Sequence, residues 1–332
     1  MNATGTTAAA PGGWPVMAAI AGIVMAMAAL WLWYWLQAGM AAGPADVMTL
    51  IGVIVFWAAA WLFNQKLSAL LLDGWQDRAR NLLVPAVFGA TLLLLWQFWV
   101  RALDVPLVLL PAPSDIWQAL ATSLPELSAD FVQTFVRAAI PGWLIGSGAG
   151  FLTAILCDRV PFLKRGLMPL GNLVAALPIV GIAPIMVMWF GFDWPSKAAV
   201  VVVMTFFPML VNTLTGLQSA GHLERDLMRS YGASYGQTLL KLRLPAALPF
   251  VFNALKINST LALIGAIVAE FFGTPIVGMG FRISTEAGRL ALDMVWAEIA
   301  VAALAGSAFY GLIALAERAL TFWHPSYRAR RT

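Results

Sequence analysis

The reactive side chains of this sequence are too few and too scattered to assemble a catalytic centre. Cys157 is the single cysteine, and His222 and His324 are the two histidines, in 332 residues. No internal disulfide and no paired-ligand zinc spacing can therefore be read. No Gly-x-x-x-x-Gly-Lys-Ser/Thr phosphate loop is present. The run Gly146-Ser147-Gly148-Ala149-Gly150 lacks the lysine and lies within apolar sequence. Two kinds of chemistry remain. One is solvation of a solute by polar side chains stranded inside long apolar stretches. The other is partner recognition by a polar, glycine-centred loop.

The stranded polar residues fall at informative spacings. Asn253, Lys256 and Thr260 stand at i, i+3 and i+7, one face of a helix, with Ser259 beside them and Glu270 at the far end. An ionisable group at membrane depth is costly, so this face either lines a translocation path or hydrogen-bonds to other helices. Lys256 could also reach the inner interface. Asn172 precedes Leu177-Pro178-Ile179-Val180-Gly181-Ile182-Ala183-Pro184, whose two prolines should kink the helix and free carbonyls, either lining a path or partnered by protein. Asn212 reads as a packing hydrogen bond. Arg137 could pair with Glu270 or Glu298, or reach the headgroups. Gly142, Gly146 and Gly150 recur every four residues and should let another backbone approach closely.

The elements that must hold these residues are membrane helices. The chain is 61% hydrophobic and 11% charged, whereas a soluble domain averages about 25% charged residues. About 20 apolar residues cross the hydrocarbon core. Eight segments qualify, at approximately 14–36, 46–64, 82–100, 131–155, 166–190, 198–217, 247–270 and 293–316. With the N-terminus inside, the inward connections hold Lys66, Arg78, Arg80, Arg159, Lys164, Arg165, Arg225, Arg229, Lys241 and Arg243, and the tail adds Arg318, Arg328, Arg330 and Arg331. Outward loops keep Arg101, Lys197, Arg282 and Arg289. The positive-inside rule then places both termini in the cytoplasm. Residues 1–13 read as a disordered cytoplasmic tail and 326–332 as a basic one. In the outward stretch 101–130, Ser114 is a plausible N-cap for a short surface helix.

The inward stretch 218–246 reads as helix, glycine turn, helix, ending in Leu244-Pro245. A short helix on the inner face can press into a groove on a soluble partner; the plainer alternative is an interfacial loop. Here the residues resemble a family. Gly232, nine residues, Leu242, one residue, then Leu244-Pro245 is similar to the EAA-loop signature of binding-protein-dependent ABC importer permeases. At the Glu-Ala-Ala position the chain has Asp226-Leu227-Met228, which keeps the acid and enlarges the two small residues. Leu110-Pro111-Ala112-Pro113-Ser114, Trp189-Phe190-Gly191-Phe192, Phe206-Phe207-Pro208 and Ile264-Gly265-Ala266-Ile267-Val268-Ala269-Glu270 resemble the branch importing nitrate, sulfonates, taurine and pyrimidine precursors. The resemblance runs through about 82–325, with 14–81 as a two-helix N-terminal extension.

The resemblance implies an all-α, type I permease core in the bacterial inner membrane. It implies two permease copies (a homodimer is expected), two cytoplasmic ATPases that carry ATP and Mg, and a periplasmic solute-binding protein. The chain itself is expected to bind no cofactor, metal or nucleic acid. Asp226, Arg229, Gly232, Ala233, Leu242, Leu244 and Pro245 would carry ATPase coupling. Asn172, Pro178, Asn253, Lys256, Thr260 and Glu270 are the path candidates. A proton- or sodium-coupled carrier is the alternative, but it needs buried carboxylates at the midplane, and Glu270 and Glu298 stand near outer ends. A membrane enzyme is disfavoured by the two distant histidines. Phe271-Phe272-Gly273 after Glu270 leans toward the pyrimidine-precursor group.

Overall fold

The computed structural model describes residues 22–23, 25–27, 29–30, 47–69, 75–175, 177–273 and 276–323. The expected tails, His324 and most of the first expected span lie outside them. Among the described residues every regular element is helical. Among the described residues six helices are long and apolar enough to cross a membrane, and the 12-residue Ile179–Phe190 is a shorter apolar one. The chain divides into two compact units, 1–119 and 120–332.

The first unit is built on α1 (Val47–Ser68) and α2 (Trp75–Ala102). Val53, Phe56 and Phe98 form its core, with the Phe56 and Phe98 rings edge-to-face at 5.9 Å. Pro85 lies inside α2. Turned to satisfy both of its groups, the Asn64 amide donates to the Val84 carbonyl and accepts from the Phe88 N–H, entering the helix ladder beside that proline. The short helix α3 (Pro113–Thr122) contains the division between the units. Ser114 lies within its first turn and does not cap it. Its hydroxyl accepts from Gln97 (2.9 Å) and Arg101 (3.1 Å), and Asp115 accepts from the Ala112 N–H and pairs with Arg101.

The second unit starts with a continuous helix, α4 (Leu124–Arg159). It is followed by α5 (Pro161–Ala175), α6 (Ile179–Phe190), α7 (Trp194–Gln218), α8 (His222–Ser230), α9 (Tyr235–Glu270), α10 (Met279–Gly288) and α11 (Leu292–Leu320). The expected single span 166–190 is thus two helices. Pro178, with extended backbone, stands at the N-cap of α6, where the sequence placed a kink. Lys197, expected in an outward loop, lies buried in the first turn of α7 and donates to the Phe192 carbonyl.

Both long helices widen into π-helix directly before a proline. In α4 the π segment is Val132–Ala139, ahead of Pro141, and in α9 it is Leu239–Arg243, ahead of Pro245. A proline inside an α-helix lacks the N–H that would bond four residues back, and its ring collides with that carbonyl. In both helices the residue before the proline bonds five residues back, Ile140 to Phe135 and Leu244 to Leu239. The chain passes each proline without ending the helix.

The centre of this unit is α7 packed between α4 and α9. Lipid tails are as apolar as leucine, so helices in a bilayer associate through close packing and internal hydrogen bonds. The glycine stripe of α4 supplies the first. A Cβ on Gly142, Gly146 or Gly150 would fall 2.6 Å from Val201, 2.1 Å from Thr205 and 2.4 Å from the Phe206 carbonyl. The stripe therefore packs within the chain, against α7. Asn258 supplies the second. Fully buried on α9, its amide donates to Ser147 (2.9 Å) on α4 and to the Thr205 carbonyl (2.8 Å) on α7.

Gly146→Ala should lower thermal stability by about 1–3 kcal/mol, the usual cost of overpacking. Gly148→Ala, with open space where its Cβ would go, should be nearly neutral. Thermal unfolding of the two purified variants checks this, and equal midpoints would contradict the packing account.

Candidate functional site

The connection between α7 and α9 is held at both ends. At its start the Arg225 guanidinium donates to the Gln218 carbonyl (2.6 Å) and twice to that of Ala220 (3.0 and 2.6 Å), collecting carbonyls that the end of α7 leaves free. α8 follows, and none of its residues is buried. Leu223, Leu227 and Tyr231 stand at i, i+4 and i+8, exposed by 84%, 56% and 81%. Three large apolar side chains on one face of an unpacked helix form a surface suited to a partner's groove.

α8 ends in a full Schellman motif. The Gly232 N–H bonds to the Arg229 carbonyl and the Ala233 N–H to that of Met228. The turn requires positive φ at Gly232, which has +65°, and this accounts for glycine at the centre of the loop. Ser234 then opens α9 through a reciprocal capping box with Gln237. Asp226 and Arg229 are exposed on α8, 3.6 Å apart. Leu242, Leu244 and Pro245 are half-buried in or just past the π segment, and Leu244 packs against Leu217, Leu239 and Ala247.

The far end of the connection is tied by an ion pair that the sequence reading did not find. Arg243 forks onto Asp158, the last acidic residue of α4, with two bonds of 2.6 Å, and its Nε donates to the Leu217 carbonyl near the end of α7. Tyr235 adds a third bond to Asp158 at 3.0 Å. The two charged side chains are only 12% and 7% exposed. The end of α4, the end of α7 and the π segment of α9 are thus fastened together. The signal was an arginine within the Leu-x-Leu-Pro ending, which sequence alone had counted as one more inward charge.

The path candidates separate into three groups. Asn253 and Thr260 are exposed on α9, in a stripe with Ile257 and Ile264. Asn253 is 3.5 Å from Asn212 on α7, and Thr260 turns its hydroxyl back to the Ile257 carbonyl. Lys256 and Glu270 instead face into the chain. Lys256 pairs with Glu317 of α11 at 2.7 Å. Glu270, 2% exposed, accepts from the Thr134 hydroxyl (2.8 and 2.9 Å) and the Gly280 N–H (2.7 Å). Pro178 begins α6. Asn172 lies in α5, and its side chain is outside the described residues.

Glu270 belongs to an acidic cluster at the opposite ends of the helices from the α7–α9 connection. Asp130, fully buried, accepts from the Gly278 N–H (2.6 Å) and from Arg282 (2.8 Å), while Thr134 accepts from the Met279 N–H (2.8 Å). Two carboxylates and a hydroxyl therefore grip the start of α10, where free N–H groups favour negative charge. Glu298 on α11 is fully buried in the same unit. Arg137 pairs with neither Glu270 nor Glu298 and hydrogen-bonds Gln133 at 3.2 Å.

Comparison with known proteins bears on this arrangement. Residues 146–324 match the family described as binding-protein-dependent transport system inner membrane component. The chain is 30% identical over 221 residues to a probable ABC transporter permease protein of Haemophilus influenzae, covering 67% of this chain and 89% of the relative. It is 31% identical over 250 residues to the formylaminopyrimidine transport permease protein ThiX of Halalkalibacterium halodurans, covering 74% and 98%. It is also 30% identical over 257 residues to the putative aliphatic sulfonates transport permease protein SsuC of Bacillus subtilis, covering 76% and 90%.

Removing one partner of a buried ion pair strands the other, at a cost of about 3–5 kcal/mol. Asp158→Asn and Arg243→Gln should each destabilise on that scale, and the double variant by clearly less than the sum. A double-mutant cycle on thermal unfolding measures the coupling, and simple additivity would contradict the pairing.

Proposed function

The chain belongs to the family of binding-protein-dependent transport system inner membrane components, and from that premise we propose how it works as the permease of an ATP-driven importer. It is a multi-pass membrane protein and a transport subunit. ATP and Mg bind on separate cytoplasmic ATPase chains, and a periplasmic binding protein delivers the solute. One loop per chain and two ATPases call for two copies, and a homodimer is the simplest assembly. The distribution of basic residues supports cytoplasmic termini.

The observation that carries this reading is the build of α8. It exposes Leu223 and Leu227, with Tyr231 at its C-cap, and buries none of its residues among the described ones, while both of its flanks are tied to membrane helices. A partner that moves α8 must also pull on the carbonyl end of α7 through Arg225, and on α4 and α9 through Asp158 and Arg243. ATPase closure would reach the solute path by this route. Asp226, Arg229, Gly232 and Ala233 shape the docking surface and its turn, and Leu242, Leu244 and Pro245 anchor it.

The path itself is assigned to the exposed polar stripe of α9, with the α5–α6 break near Asn172 and Pro178. Polar groups at membrane depth face protein or water rather than lipid. Among the described residues Asn253 and Thr260 stay exposed, so a second copy and an aqueous path are proposed as their surroundings. Lys256 and Glu270 hold the framework. The relatives' names favour a small organic solute, with a pyrimidine precursor or a sulfonate as the leading classes.

Leu227→Asp and Tyr231→Asp replace exposed side chains, so both variants should reach the membrane at normal levels. A pull-down from detergent-solubilised membranes should recover a soluble ATPase with the wild type and lose it with both. If no ATPase co-purifies with the wild type, a proton- or sodium-coupled carrier becomes the better reading. Separately, Asn253→Ala with Thr260→Ala should slow solute uptake severalfold while the pull-down stays unchanged. Normal uptake in that variant would remove the stripe from the path.

A further inference from the structure

The outer side of the second unit holds an open basin of about 860 Å³ that the coupling argument does not use. Its polar wall is Ser128, Gln133 and Arg137 on α4 with Asp193 before α7, and Phe192 stands on its apolar side. Arg137 lies 22 residues before Arg159, the inner end of α4. At the helical rise this is about 33 Å, so Arg137 sits near the outer boundary of the hydrocarbon core.

The arginine is positioned but not neutralised. Among the described residues its guanidinium makes one hydrogen bond, to the uncharged Gln133 amide oxygen at 3.2 Å, and no ion pair. Most of its N–H donors remain free to face a ligand. Gln133 is 5% exposed, and its amide nitrogen is fixed on Asp193 at 3.0 Å. Asp193 is itself fixed, because the same oxygen accepts the Trp194 N–H at 2.8 Å and caps α7. These two hydrogen bonds hold the Asp193 carboxyl below the usual carboxylate range, so it stays charged and engaged. The chain Trp194–Asp193–Gln133 therefore sets the guanidinium's orientation before any ligand arrives.

We propose that this basin binds a small organic oxyanion, with Arg137 as a bidentate donor to its sulfonate, carboxylate or phosphate group. A guanidinium's planar fork matches such groups. The basin is much larger than the anionic head, and Phe192, Val132 and Val277 offer apolar wall for an organic remainder. Asp193 limits affinity, since its charge opposes the ligand's. The anion has two sources, an incoming solute or a lipid headgroup phosphate. Only assignment to a solute rests on the importer reading.

The test uses the purified full-length chain in phosphate-free maltoside micelles, with no partner, so failure of the ATPase pull-down leaves it intact. Thermal midpoint is followed against sodium ethanesulfonate and, separately, short-chain phosphatidic acid, with sodium chloride at matched ionic strength. The wild type should be stabilised in a saturable way. Arg137→Gln should raise the half-saturating concentration about tenfold or more, as for loss of a hydrogen bond to charge. Asp193→Asn keeps a capping side chain and should lower that concentration. A response to ethanesulfonate assigns the site to solute, and a response to the lipid alone assigns it to a headgroup. If neither stabilises the wild type, or if the response is the same in Arg137→Gln and Asp193→Asn as in the wild type, the proposal is overturned.

Discussion

In hydrocarbon a polar group without a partner has no water to turn to, and most features of the second unit follow from that constraint. The two 36-residue helices, α4 and α9, pass Pro141 and Pro245 through π-helical turns rather than ending there. Among the described residues, the expected span 166–190 is interrupted between α5 and α6. Asn258 brings a polar side chain into the centre and spends its amide on two other helices. With no hydrophobic force between helices in lipid, these bonds and the glycine stripe hold α4, α7 and α9 as one body.

Ionic and hydrogen-bonded clusters finish each end of that body. At one end, Asp130, Thr134 and Glu270 take the first N–H groups of α10. At the other, Asp158 and Arg243 join α4 to α9 while Arg225 and Arg243 gather carbonyls of α7. The paired charges are mostly buried, so their geometry is held more tightly than a surface ion pair would be. On the proposed reading, a helix that is exposed and apolar on one face, mounted on such an end, would transmit a push instead of absorbing it, which is what would separate α8 from an ordinary interfacial loop.

The sequence conveyed the local features well. A glycine every four residues and a glycine-centred turn act within a few turns of helix and stand where they were expected, while of the two prolines six apart Pro178 breaks the span and Pro184 lies within α6. What it conveyed poorly was partnership. Asn253, Lys256 and Thr260 share a face by spacing, yet Lys256 turns to Glu317, 61 residues away, while its neighbours stay exposed. Glu270 meets Thr134 across 136 residues and Arg243 meets Asp158 across 85. Periodicity gives a residue's face but not what lies opposite. Ser114 failed as a cap for the same reason, since Gln97 and Arg101 of α2 claim its hydroxyl.

The central claim is that α8 is a docking surface whose displacement reaches the membrane helices. It is tested most directly by cross-linking from Leu227→Cys in a Cys157→Ser background, in native membranes with and without ATP. Cys157 is buried, so its loss should leave the surface unchanged. The account predicts a covalent adduct with a soluble ATP-binding chain, its yield changing with nucleotide. A cysteine at this position that stays freely accessible from the cytoplasmic side and joins no ATP-binding chain would contradict it.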